Sequence, residues 1–93
     1  MAELLTEAEI QERAIHLEGW VVDGKALTTT RKFKDFVEAI AFVNQIVEPA
    51  EAAGHHPDLE ISYNKVTISL TTHDAGGLTS KDFDLAQVIY NLS

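Results

Sequence analysis

Three of the four histidines in this 93-residue sequence fall in one stretch, His55 and His56 side by side and His73 a short way on. An imidazole ordinarily titrates near pH ~6.5, so it can give or take a proton at neutral pH. The carboxylates Glu51, Asp58, Asp74 and Asp82 stand close by in sequence, and a carboxylate beside an imidazole orients the ring and favours its charged form. These types and spacings make proton transfer near neutral pH feasible, which points to acid/base chemistry. A second chemistry suits the same residues, because three neutral imidazoles can ligate a tetrahedral zinc ion. Successive side chains on extended backbone point to opposite sides, so His55 and His56 share one ion only if the chain turns there. There is no cysteine, which excludes disulfides, thiolate metal sites and cysteine nucleophiles.

The elements that must position these groups can be read from capping and periodicity. Thr6 and Glu9 form a capping-box pattern that opens a short helix over residues 7–15. Gly19 ends it, and Asp23-Gly24 separates a strand over 20–22 from a Thr-rich strand over 26–33, a hairpin signal. From Asp35 onward Phe36, Ile40, Val43 and Val47 recur at helical spacing, widened by Ala39, Phe42 and Ile46. Pro49 removes one backbone donor, yet the Ala-rich run after it carries the helix, with a bend, to Gly54.

Leu59, Ile61 and Tyr63 alternate with polar residues, as do Val66, Ile68 and Leu70, so residues 59–63 and 66–72 form a second hairpin about Asn64-Lys65 with one buried face. Thr79 and Asp82 repeat the capping pattern before a last helix that reaches the C-terminus. The order α-β-β-α-β-β-α predicts an α+β domain, a four-stranded antiparallel sheet with helices packed on one face. In that topology His56 and His73 bracket a hairpin, so the ends carrying the three histidines return to one edge of the sheet.

Length allows a single domain over residues 1–93. Hydrophobic residues at 45% and charged residues at 24% are ordinary for a folded chain. A net charge of −8 with seven Lys and Arg argues against direct nucleic-acid binding. The acidic N-terminal stretch lacks a signal-peptide pattern and no apolar run is long enough to span a bilayer. The expectation is a cytoplasmic protein without membrane attachment. A domain this small hides limited apolar surface, which favours a homo-oligomer.

The pattern of an acidic residue, three intervening residues, His-His-Pro, an aromatic, a hairpin, a His and a later Asp is met by Glu51, His55-His56-Pro57, Tyr63, His73 and Asp82. With Gly19-Trp20, Phe33-Lys34-Asp35-Phe36, Tyr63-Asn64-Lys65-Val66 and Gly77-Leu78, it resembles the pterin-4a-carbinolamine dehydratases, also described as dimerisation cofactors of a homeodomain transcription factor. The resemblance covers nearly the whole chain. It implies loss of water from a 4a-hydroxytetrahydropterin to give the quinonoid dihydropterin in tetrahydrobiopterin recycling, with no metal and no organic cofactor. By the same resemblance His55 and His73 are the proton-transfer pair and His56 anchors the substrate. Thr71, Thr72 and Asp74 at a strand end, with Trp20, Glu51 and Asp82, are the further substrate contacts. Pro49 and the alanines after it depart from the animal proteins, where this helix contributes to tetramer contacts, which leaves dimer and tetramer both open.

Plainer roles compete at single positions. Asp82 can simply cap the last helix, Trp20 can be a core residue, and Glu51 a solvated helix residue. His16 lies outside the pattern and reads as structural, and Thr28-Thr29-Thr30 reads as strand propensity. The functional alternatives are a non-catalytic dimerisation or interaction module and a three-histidine metal-binding domain.

Overall fold

The computed structural model of the chain describes residues 3–92. Its elements are α1 (Glu7–Ala14), β1 (Val21–Asp23), β2 (Ala26–Lys32), α2 (Phe36–Ala53), β3 (Asp58–Ser62), β4 (Lys65–Leu70) and α3 (Ser80–Tyr90). The strands form one antiparallel sheet in the order β1-β2-β4-β3. The α+β fold with helices on one face is thus observed. The last helix ends at Tyr90, short of the expected C-terminal end, and Met1, Ala2 and Ser93 lie outside the described residues.

Register explains which face the helices cover. Residues opposite each other share a face, so the pairs Leu27↔Leu70, Thr29↔Ile68 and Arg31↔Val66 define one side of the sheet. Leu27, Val66, Ile68 and Leu70 are fully buried there under Phe42 and Ile46 of α2 and Phe83, Leu85 and Ile89 of α3. Burial of each large side chain contributes about 1.5–3 kcal/mol. The opposite face carries Thr28, Thr30, Thr67 and Ser69, with the Thr30 and Thr67 hydroxyls 3.0 Å apart across the strands.

Three expectations are corrected. Both hairpin turns sit one residue away from the expected dipeptide: the pairs Asp23↔Ala26 and Ser62↔Lys65 leave Gly24-Lys25 and Tyr63-Asn64 as the turn residues. Only the first of each pair has positive φ, 62° at Gly24 and 52° at Tyr63, which excludes the type I′ turn. Asn64 is drawn into the second turn because it clasps β2, its side chain donating to Phe33 O at 2.9 Å and its carbonyl accepting from Phe33 N at 2.7 Å.

The second correction is that β3 buries no residue. Leu59 and Ile61 face the helical side but remain 37% and 42% exposed, because β3 is the sheet edge and α2 does not reach over it. Third, the inward stripe of α2 is Ala39, Phe42, Ile46 and Ala50, while Phe36, Val37 and Val47 are exposed. The two alanines let the helix lie close to the sheet. The helix runs through Pro49 to Ala53 as expected.

Both expected capping boxes are present, Thr6 with Glu9 and Thr79 with Asp82. The Thr6 N–H beside Glu9 holds that carboxyl below its usual range. A lowered folded value means the cap stabilises α1 above the unfolded pKa and loosens as pH falls through the folded one.

The contrast between β4 and β3 is testable by chemical denaturation. Ile68→Ala should cost about 2–5 kcal/mol and Ile61→Ala no more than about 1 kcal/mol. Equal losses would contradict the assigned burial.

Candidate active site

The first histidine is placed by the way α2 stops. Gly54 adopts the left-handed conformation at φ 62°, where glycine carries no Cβ penalty, and nothing lies within 4 Å of where a Cβ would be. Its N–H donates to Glu51 O at 3.2 Å and that of His55 to Ala50 O at 3.1 Å. This paired closure folds the chain back over the last turn of the helix. The His55 side chain is thereby directed inward, and the residue is only 9% exposed.

Its partner comes from the other end of the sequence. His55 Nε2 lies 2.6 Å from Oδ1 of Asp82, which is fully buried in the first turn of α3. The second oxygen of Asp82 accepts from the Thr79 N–H at 2.9 Å and from the Thr72 hydroxyl at 2.8 Å. An ionised carboxylate can only accept, so Nε2 carries a hydrogen and donates it. Nδ1 is then the ring atom free to exchange a proton. It has no partner among the described residues, where no buried side-chain nitrogen or oxygen lacks one, so Nδ1 reaches the surface. A buried carboxylate behind an imidazole with its far nitrogen exposed can orient the ring and balance the charge of its protonated form.

The other expected residues are arranged more loosely. His56 turns away from this network and pairs with Glu51, Nε2 to Oε2 at 2.5 Å, both side chains being well exposed at 62% and 68%. The pair rims a 250 Å³ apolar cleft between α2 and β3 that is lined by Val43, Ile46, Val47, Pro57 and Leu59. His73 and Asp74 are exposed in the turn between Thr72 and Gly77. Their N–H groups donate to no carbonyl among the described residues, which leaves them available to a ligand.

Thr71 and Thr72 lie just beyond β4 rather than within it. The hydroxyl of Thr71 donates to Lys25 O at 2.6 Å and that of Thr72 to Asp82, so both are engaged within the protein. Trp20 belongs to the core, at 8% exposure. Asp58 opens β3 on the exposed edge. Among the described residues no three His, Asp or Glu side chains are grouped to hold a metal ion.

Sequence reasoning assigned Thr79 a cap and nothing more. Its hydroxyl also lies 2.7 Å from that of Thr72, which ties the cap to the sheet. The capping pattern was a visible signal, but the tie depends on packing between elements distant in sequence.

The fold and this site define the class. The family model described as pterin 4 alpha carbinolamine dehydratase matches residues 3–92. A protein of Trichormus variabilis, named as a candidate pterin-4-alpha-carbinolamine dehydratase, is 68% identical over 93 residues, which is the full length of both chains. The crystal structure of a protein from Brucella melitensis, described as a transcriptional coactivator/pterin dehydratase, superposes with a TM-score of 0.87 at 41% identity, covering 91% of this chain and 93% of that one. A pterin dehydratase-like protein described as a RuBisCO assembly factor of the alpha-carboxysome shares the fold at a TM-score of 0.66 and 22% identity, covering 81% of this chain and 89% of that one. The chain belongs to the pterin 4 alpha carbinolamine dehydratase family.

The unequal burial of the adjacent histidines predicts unequal stability costs. At neutral pH His55→Ala leaves Asp82 Oδ1 buried without a donor and should cost about 1–3 kcal/mol, whereas His56→Ala should stay within about 0.5 kcal/mol. Urea denaturation at neutral pH measures both, and the reverse ranking would contradict the geometry.

Proposed function

We propose that this protein removes water from a 4a-hydroxytetrahydropterin to give the quinonoid dihydropterin, in tetrahydrobiopterin recycling, by histidine acid/base catalysis. The observation that carries this reading is the His55–Asp82 pair with its outward Nδ1, in a chain of this family. Loss of water requires a proton on the departing 4a-hydroxyl, cleavage of the C4a–O bond and removal of the proton on N5. One imidazole of the pair His55 and His73 hands over the first proton and the other takes the second. Asp82 balances the charge on His55 when its ring is protonated.

His56, oriented by Glu51, anchors the substrate. The strand end from Thr71 to Asp74 receives the flat pterin ring through the unpaired N–H groups of His73 and Asp74, Asp74 adding its carboxylate and Trp20 backing the pocket from the core. No step calls on a metal or organic cofactor. The working form is a cytoplasmic homodimer or tetramer, and the exposed apolar side chains of β3 and α2 support association. Those same faces, with the coactivator description of the Brucella melitensis protein, favour a non-catalytic interaction module as the second reading.

Turnover of chemically generated 4a-hydroxytetrahydropterin, corrected for its spontaneous dehydration and run with and without chelator, tests the proposal. Activity should survive chelation. His55→Ala and His73→Ala should each lower kcat by something like 10²-fold, while His56→Ala mainly raises KM and leaves kcat within about tenfold. Loss on chelation restored by zinc would assign the site to metal chemistry, and absence of any turnover would favour the interaction module.

A further inference from the structure

Two buried hydroxyls behind Asp82 have no part in the chemistry just described. Thr72 and Thr79 are 7% and 0% exposed, and their hydroxyl oxygens lie 2.7 Å apart. Each hydroxyl has a single hydrogen to donate, so the directions of the bonds can be assigned. Thr72 spends its hydrogen on Asp82 Oδ2, at 2.8 Å. The hydrogen between the two hydroxyls therefore belongs to Thr79, whose own oxygen accepts from the Lys81 N–H at 3.2 Å. The order runs from Lys81 N–H to Thr79, from Thr79 to Thr72, and from Thr72 to Asp82. It ends on the carboxylate that accepts from His55.

We infer that Thr72 is a positioning residue, and that its hydroxyl, oriented by Thr79, fixes the Asp82 carboxylate so that His55 keeps its hydrogen on Nε2 and presents Nδ1 outward. The carboxylate torsion of an aspartate is soft, so hydrogen bonds set its plane. A capping box supplies one such bond, the Thr79 N–H, and with that alone the carboxylate can pivot. The Thr72 hydroxyl supplies the second bond to Oδ2, and it comes from the segment just beyond β4 rather than from α3. Two donors on Oδ2 from different elements leave Oδ1 aimed at His55. The same bond makes the Thr72 hydroxyl a poor substrate contact, because its hydrogen is already committed.

The kinetic part of this inference rests on the dehydratase reading, and the spectroscopic part does not. Nitrogen NMR of the full-length chain, taken at mildly alkaline pH, reports which ring nitrogen carries the hydrogen. Wild type should show the Nε2–H tautomer, Thr72→Val a mixture with Nδ1–H, and Thr72→Ser the wild-type form. In turnover, Thr72→Val should lower kcat by about tenfold with KM within about twofold, and Thr72→Ser should restore kcat.

An unchanged His55 tautomer in Thr72→Val, or a raised KM with kcat intact, would overturn the inference. If wild type fails to turn over the pterin, the dehydratase reading falls while the tautomer comparison still decides the positioning role. Should Thr72→Val not fold, Thr79→Val removes the preceding link and must shift the tautomer in the same direction. No shift there would likewise overturn it.

Discussion

Asp82 is wholly buried, and a carboxylate in that position persists only if every oxygen is met by donors. Its donors come from three parts of the chain: Thr79 at the start of α3, Thr72 beyond the end of β4, and His55 past the end of α2. Satisfying this one group therefore fixes where two helices and the end of the central strand β4 meet. The same satisfaction orients an imidazole whose other nitrogen is exposed. Stability and chemistry are linked here, because the bonds that make the burial tolerable also aim His55.

The rest of the fold serves that junction. β2 and β4 form the sheet centre, and the apolar face they share holds α2 and α3 against it. With those helices fixed, the glycine closure of α2 and the capping box of α3 bring His55 and Asp82 together as short-range geometry. The sheet edge is left unfinished. β3 keeps its apolar side chains exposed, and α2 leaves Phe36, Val37 and Val47 exposed as well. His56 and Glu51 stand beside this uncovered region, next to the cleft between α2 and β3.

Local chemistry was legible in the sequence. The Thr6–Glu9 and Thr79–Asp82 caps, the glycine stop at Gly54 and the strand alternation around Ile68 all depend on neighbours within a few residues, and the structure contains each. What depended on distant packing was not legible. Periodicity showed that α2 is apolar on a wide arc, but with hydrophobic residues on both flanks it could not select Phe42 over Val47 for the core. Alternation at Leu59 and Ile61 correctly implied the face they occupy and wrongly implied a cover for it, since a strand pattern does not reveal whether a helix reaches the edge. The turn residues of the second hairpin slipped by one because Asn64 bonds to Phe33, a contact across the sheet. In the candidate site, histidines and carboxylates were found by type, whereas the pairing of His55 with Asp82 and of His56 with Glu51 needed three-dimensional placement.

The central claim is that Asp82 acts on His55 as an acceptor, beyond capping α3. Asp82→Asn separates these roles, because the amide oxygen can still accept from Thr79 and Thr72 while its NH₂ faces Nε2 and favours the opposite tautomer. The decisive measurement is kcat of Asp82→Asn for 4a-hydroxytetrahydropterin, with spontaneous dehydration subtracted and folding verified. A fall of about 10²-fold or more, to the level of His55→Ala, is the result expected from an inverted imidazole. A folded Asp82→Asn protein that turns over at the wild-type rate would contradict the account.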